Sequence, residues 1–161
     1  MPHNVGVGEV PARDATDEYL RLTGPYGRTI DIVFDFDLGE LARGHHVIAR
    51  GLELQTSGGA VLHYEFIPGV ERTEPPFAWY WMLAAADDRG TRYSTDNGGA
   101  FDRRGGPAAH GERDLGGAIP KRARRLSITF EPADGWTPPE PWTREIVIDL
   151  AERRVESSTS A

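Results

Sequence analysis

The sequence predicts a single all-β domain, an antiparallel β-sandwich with little helix. Three observations carry that expectation. Apolar and polar residues alternate with a period of two over several short segments, as in Ile30-Asp31-Ile32-Val33-Phe34-Asp35-Phe36. Clusters rich in Gly, Pro, Asp and Ser separate these segments at the spacing of hairpins. No stretch long enough for a stable helix carries an apolar stripe at helical spacing. About six to eight strands at this spacing make a sandwich.

Residues 1–17 are polar and without periodicity, and read as a flexible N-terminal arm; the sandwich domain is expected over 18–151. Tyr19–Thr23 and Arg28–Asp37 flank the turn Gly24-Pro25-Tyr26-Gly27. In the second segment Ile30, Ile32, Phe34 and Phe36 form the buried side of a strand, with Asp31, Asp35 and Asp37 on an acidic exposed side. Asp37–Gly44 is read as a short helical turn. His46–Gln55 and Ala60–Ile67 flank Thr56-Ser57-Gly58-Gly59 as a hairpin, with Leu62, Tyr64 and Phe66 opposite His63 and Glu65. Phe77–Ala86 is apolar at nearly every position, which predicts a central strand covered on both faces, Trp79 and Trp81 on one and Tyr80 and Met82 on the other. Asp87-Asp88-Arg89-Gly90 turns the chain into Thr91–Ser94, and Thr95–Ala118 reads as a long Gly-rich connection. Arg124–Glu131 and Thr143–Leu150 alternate cleanly and complete the sheets. Residues 152–161, ending Glu-Ser-Ser-Thr-Ser-Ala, read as a frayed C-terminal tail.

At 161 residues the chain fits one domain with a real core, and 39% hydrophobic with 27% charged residues is the balance of a globular protein. The net charge of −7 opposes general affinity for nucleic acid or anionic lipid, so neither nucleic acid nor membrane is expected as a partner. No apolar run nears the ~20 residues that span a bilayer, and no basic-then-apolar leader opens the chain, so a cytoplasmic location is expected. The absence of cysteine excludes disulfides and thiolate metal sites. Lys121 is the single lysine among 18 basic residues, a bias that fits a GC-rich genome.

The stretch Asp87–Asp102 raises the question of a cation loop. An EF-hand needs oxygens at fixed offsets and a bidentate Glu at the twelfth position, and the spacing here fails that test. Turn chemistry accounts for it better: Asp accepts backbone N–H bonds and Gly takes the positive-φ position, in Asp87–Gly90 and again in Asp96-Asn97-Gly98-Gly99. Convergence of Asp88, Asp96 and Asp102 on a weak calcium site is the alternative. His3, His45, His46, His63 and His110 are scattered, without the short spacing of a zinc motif. His63 and Glu65 share a strand face, half of a metal site in geometry, but a solvated face is the expectation and no metal ligand is assigned.

There is no Gly-x-Ser-x-Gly elbow and no cysteine nucleophile, and Asp35 and Asp37 alternate with aromatics as an exposed face does. Gly6-Val7-Gly8 lacks the rest of a dinucleotide fingerprint. No catalytic residue and no cofactor are therefore expected, and the chain is not read as an enzyme. The basic run Lys121-Arg122-Ala123-Arg124-Arg125 reads as a solvated loop. Trp136 and Trp142, in Gly-Trp-Thr-Pro-Pro-Glu-Pro-Trp, are the candidate ligand surface.

The run Trp81…Asp87-Asp88-Arg89-Gly90-Thr91-Arg92-Tyr93…Gly98-Gly99…Leu115-Gly116-Gly117-Ala118-Ile119-Pro120…Ala123-Arg124-Arg125-Leu126-Ser127-Ile128 resembles a group of bacterial domains. These are the immunoglobulin-like β-sandwich domains of uncharacterised bacterial proteins, actinobacterial ones above all. They carry a D-D-x-G-x-x-Y hairpin, a Gly-rich segment and a P-x-x-A-x-x-L-x-I strand. The resemblance covers roughly residues 46–150 and implies an immunoglobulin-like sandwich with no catalytic residues to carry across. The expected function is a non-enzymatic interaction module, binding a protein partner or a second copy of the chain through sandwich loops or an edge strand. The alternative is a carbohydrate- or small-ligand-binding sandwich that uses Trp136 and Trp142.

Overall fold

Period-two alternation places one set of side chains from each strand against the opposite sheet, and that constraint builds the molecule. The computed structural model describes residues 30–42, 44–70, 81–93, 99–101, 106–132 and 144–160. The expected N-terminal arm, the Tyr19–Thr23 strand and the pair Trp136 and Trp142 lie outside these residues. Ten strands are described: β1 (Ile32–Ala42), β2 (His45–Leu54), β3 (Gly59–Ile67), β4 (Trp81–Asp87), β5 (Arg92–Tyr93), β6 (Gly99–Phe101), β7 (Ala109–Ala118), β8 (Arg125–Pro132), β9 (Arg144–Asp149) and β10 (Arg154–Ser160). They form two five-stranded sheets, ordered β1-β2-β3-β7-β6 and β10-β9-β8-β4-β5, with antiparallel pairing throughout. The chain is an all-β sandwich. Among the described residues no helix is long and apolar enough to cross a membrane.

Four local expectations are corrected. Asp37–Gly44 is not a helical turn: β1 continues to Ala42, with register shifts against β2 between Asp37 and Gly39 and between Glu40 and Ala42. Bulges absorb the break in alternation that mimicked a turn. The Gly-rich connection contains β6 and the ten-residue β7, which lies between β3 and β6. Its core-facing sites include Ala109 and Gly111, too small to make the apolar pattern visible. The tail is not frayed over Arg154–Ser160, which pairs with β9 as β10. Finally, β4 is covered on one face only: Trp81, Leu83 and Ala85 are buried, whereas Ala84 is exposed and Met82 is 40% exposed.

Between the sheets lies one core cluster. Ile32, Leu52, Leu62 and Phe66 from the first sheet meet Leu83, Leu126, Ile128 and Ile146 from the second. It includes Trp81, the first residue of β4. Tyr64 meets it edge-on at 5.0 Å and 85°, and Phe130 flanks it at 6.0 Å. Arg113 lies over the indole at 4.6 Å, and its Nη1 donates to the Trp81 carbonyl at 2.9 Å. Each aromatic pair is worth about 0.5–1.5 kcal/mol beyond burial of its area.

Tyr64 fits because residue 111 has no side chain. A Cβ at Gly111 would stand 2.3 Å from Tyr64 Cζ, so the ring would have to leave its place against Trp81. We expect Gly111→Ala to lower stability by about 1–3 kcal/mol through overpacking, read as a fall in the urea midpoint. An unchanged midpoint would mean that the aromatic centre yields without cost.

Candidate metal centre

The alternation that sends Tyr64 into the core sends His63 and Glu65 to the opposite face of the first sheet. That face was expected to be a solvated one. It is instead a chain of polar contacts, much of it buried. At its β1 side His46 Nδ1 lies 3.0 Å from Asp37 Oδ1. Next, Arg50, 2% exposed, donates from Nη1 to Asp35 at 2.8 Å and from Nε to Glu65 at 2.6 Å. Arg50 Nη2 stands 2.5 Å from the same Glu65 oxygen, at an angle that makes no hydrogen bond. Alternation with Ala49 puts Arg50 on the polar face, and the register shift between Ala49 and Gly51 then re-phases β2 so that Leu52 returns to the core. Asp35 is thus no free carboxylate on an exposed face, and its pairing with Arg50 leaves it no role as acid or base.

The third group has metal-ligand chemistry. His63 on β3 is opposite Glu112 on β7, and Glu65 is opposite His110, so His63 and His110 are diagonal neighbours on one face. The ligand atoms of His63, His110 and Glu112 all lie within 4.8 Å of one another. His63 Nδ1 and His110 Nε2 are 3.1 Å apart, and His110 Nε2 is 3.8 Å from Glu112 Oε2. With metal–nitrogen bonds of about 2.0–2.1 Å, two neighbouring ligands on one ion stand roughly 2.8–3.4 Å apart between octahedral and tetrahedral geometry. The two imidazoles already have that spacing.

Glu53 on β2 fixes the tautomer. Its Oε1 is 3.0 Å from His63 Nε2, so this nitrogen carries the proton and donates to the carboxylate. Nδ1 is then the ring nitrogen that faces His110. A carboxylate behind a histidine, holding its ring and raising its basicity, is the usual support of a metal-bound imidazole. His63 Nδ1 and His110 Nε2 share one hydrogen bond, the place a metal ion between them would take. His63 is closed to solvent, while His110 and Glu112 keep side-chain exposures of 12% and 17% and form the open side. Sequence reasoning paired His63 with Glu65, which Arg50 holds instead, and did not join His63 to His110 and Glu112. The signal was His110-Gly111-Glu112, a spacing that puts both ligands on one face of a strand.

The remaining histidine singled out within the described residues, His45, sets its Nδ1 2.8 Å from the Pro68 carbonyl, a structural tie. Asp96 and Asp102 lie outside the described residues. Asp87 and Asp88 have turn roles. Asp87 Oδ1 accepts from the Arg89 and Thr91 amides at 2.8 and 3.1 Å, and Oδ2 accepts from the Tyr93 hydroxyl at 2.5 Å. Asp88 Oδ1 accepts from the Arg124 amide at 2.9 Å, and Gly90 has φ +86°, the positive value its position in the turn required. Burial opposes the charge on Asp87, but the hydrogen bonds from Tyr93, Thr91 and Arg89 outweigh it and hold the carboxyl below its ordinary value. The same contact, with burial, raises the Tyr93 hydroxyl well above its usual range.

Comparison of the chain with protein-family models, with curated proteins and with solved structures finds no match.

Asp87 therefore makes a pH-dependent contribution. Its folded-state value lies below the ordinary 3.8, so its stabilisation is complete above that value and is lost as pH falls through the folded one. Asp87→Ala should cost about 1.5–3 kcal/mol at neutral pH, the worth of hydrogen bonds to a charged acceptor. Asp87→Asn should flatten the acid limb of stability against pH. Equal acid limbs for wild type and Asp87→Asn would show that the carboxylate is not what the turn uses. Gly90→Val should cost about 1–2 kcal/mol from the same turn's backbone.

Proposed function

We propose that this chain is an immunoglobulin-like β-sandwich module that binds a divalent first-row transition metal through His63, His110 and Glu112. The observation that carries the metal reading is the His63 Nδ1–His110 Nε2 approach of 3.1 Å, with Glu53 behind His63. Two imidazoles and one carboxylate suit zinc, iron(II) or cobalt(II) better than calcium, which takes oxygen ligands. Three protein ligands with one accessible side leave positions for water or a further ligand, the arrangement of reactive rather than closed structural sites. The immunoglobulin-like reading is supported by strand order. Strands β2-β3-β7-β6 follow the A-B-E-D sequence of that fold and β9-β8-β4-β5 its G-F-C sheet with C′ added, while β1 and β10 extend one edge of each sheet. Buried Trp81 then falls on strand C, where antibody domains carry their core tryptophan.

Melting with zinc and again with a chelator tests the metal site. A ligand at a hundred times its Kd adds about 2.7 kcal/mol, on the order of 5–10 °C for a domain of this size. Glu112→Gln and His110→Asn should each shrink the shift, and cobalt(II) should give a visible ligand-field band that both variants weaken. Affinity should fall on acidification, because protons compete for the imidazole lone pairs. A midpoint indifferent to zinc, cobalt and iron(II), or a shift untouched by both variants, overturns the site.

The edge strand β10 favours a second reading, a non-enzymatic module that binds a protein partner by strand addition. It ends the second sheet, and Arg154, Glu156, Ser157 and Thr159 are exposed along it. A pull-down from the native host, repeated with Ser157→Lys and Thr159→Lys, tests this: a partner captured equally by all forms is not bound through β10. The carbohydrate reading rests on Trp136 and Trp142 alone.

A further inference from the structure

A second site lies at one end of the sandwich and shares no residue with the metal cluster. Four connections meet there: the β2–β3, β4–β5 and β9–β10 turns and the β7–β8 loop. They surround a cleft of about 830 Å³, within the range of about 300–1,000 Å³ typical of small-molecule sites. Leu54, Ile119 and Leu150 supply an apolar floor, each packed against the margin of the core. The rim is cationic. Among the described lining residues, five cations, Arg89, Lys121, Arg122, Arg124 and Arg153, face a single carboxylate, Asp88, in a chain whose net charge is −7. Asp88 Oδ1 is already engaged by the Arg124 amide. Of the ion pairs among the described residues only one involves these cations, Arg153 with Asp31 at 3.6 Å.

The backbone at Arg153 points the same way. With φ +54° it is the one non-glycine residue at positive φ among those described. A hairpin position of this kind favours Gly or Asn, and an arginine there is a local cost. Strain of this sort is typically held where a side chain has a use. Here the side chain is a guanidinium lining a cleft.

We propose that this cleft binds a small organic phosphate ester, its phosphate held by the arginines of the rim and its apolar part lying on Leu54, Ile119 and Leu150. Guanidinium groups match phosphate oxygens in a bidentate fork, which accounts for four arginines and one lysine on the rim. The basic run Lys121–Arg124 is then part of a ligand site rather than a merely solvated loop.

Calorimetric titration with phenyl phosphate, inorganic phosphate and phenol tests the proposal, with chelator present so that the outcome is independent of metal. Phenyl phosphate should bind saturably, at least ten-fold more tightly than inorganic phosphate, and weaken as salt rises; phenol should not bind. Arg153→Gly should weaken phenyl phosphate ten-fold or more while leaving the melting temperature equal or higher. Glycine relieves the positive φ, and the exposed Arg153–Asp31 pair contributes little to stability. A merely structural arginine would not separate binding from stability in this way. Arg122→Glu should abolish binding. The proposal is overturned if phenyl phosphate does not saturate, if it binds no better than phenol or inorganic phosphate, or if Arg153→Gly and Arg122→Glu bind it as the wild type does.

Discussion

Everything in this molecule hangs on the aromatic contact that ties the sheets together at Trp81. No cysteine is present, so no covalent bond joins them, and the sandwich must be held by what its interior buries. In the immunoglobulin-like arrangement, a disulfide between strands B and F packs against a tryptophan on C. Under the immunoglobulin-like reading proposed above, Tyr64 on β3 and Phe130 on β8 stand on strands of those two ranks; they flank Trp81. A native disulfide in a small domain is commonly worth about 2–5 kcal/mol. Burial of three aromatic rings supplies stabilisation of that order without a cross-link. It also makes the fold indifferent to the redox state of its surroundings.

The polar face of the first sheet follows from the same contact. Tyr64 is locked inward against Trp81, so its neighbours on β3, His63 and Glu65, must point outward. Gly111 is kept small by the Tyr64 ring, so on β7 its neighbours His110 and Glu112 must also point outward. Core packing thus sets the register, and the register brings His63 and His110 together. A one-residue slip of β7 against β3 would send His110 and Glu112 to the core. Buried polar groups are costly unless bonded, and the contacts among Glu53, His63 and His110 and among Asp35, Arg50 and Glu65 meet most of that demand, Arg50 Nη2 being the exception. A ligand set already ordered in this way can take a metal ion in place of the His63–His110 hydrogen bond with little rearrangement.

Much of the sandwich was legible because alternation survives wherever large residues fill the core positions, as in Leu62, Tyr64 and Phe66 or Leu126, Ile128 and Phe130. It was illegible where the core demands something small. β7 hides behind Ala109 and Gly111, and with β7 hidden, His110 and Glu112 had no strand to share a face on. β1 hides its second half behind bulges, and β10 hides because Ser and Thr on an edge strand need no apolar face. The Asp87–Gly90 turn was read correctly from residue chemistry alone, since its determinants are local. The convergence of Arg89, Arg122 and Arg153 was not, because it depends on which hairpins end at the same end of the sandwich.

That last point bears on why the two sites differ in kind. The metal cluster is built from side chains in the middle of paired strands, where register fixes positions within fractions of an ångström, and bonds to a metal demand that precision. The cleft is built from hairpin tips and the β7–β8 loop, whose arginines reach a ligand through long side chains and need no such exactness. Loops can vary without disturbing the core, so the cleft is free to set ligand choice while the sheet keeps the metal site intact. Substitutions of the rim side chains, such as Arg122 and Arg153, should therefore act on anion binding alone, whereas any change that loosens Trp81, Tyr64 or Gly111 should weaken metal binding together with the fold. The coupling runs one way, from the core outward, because the core fixes the register and the loops do not.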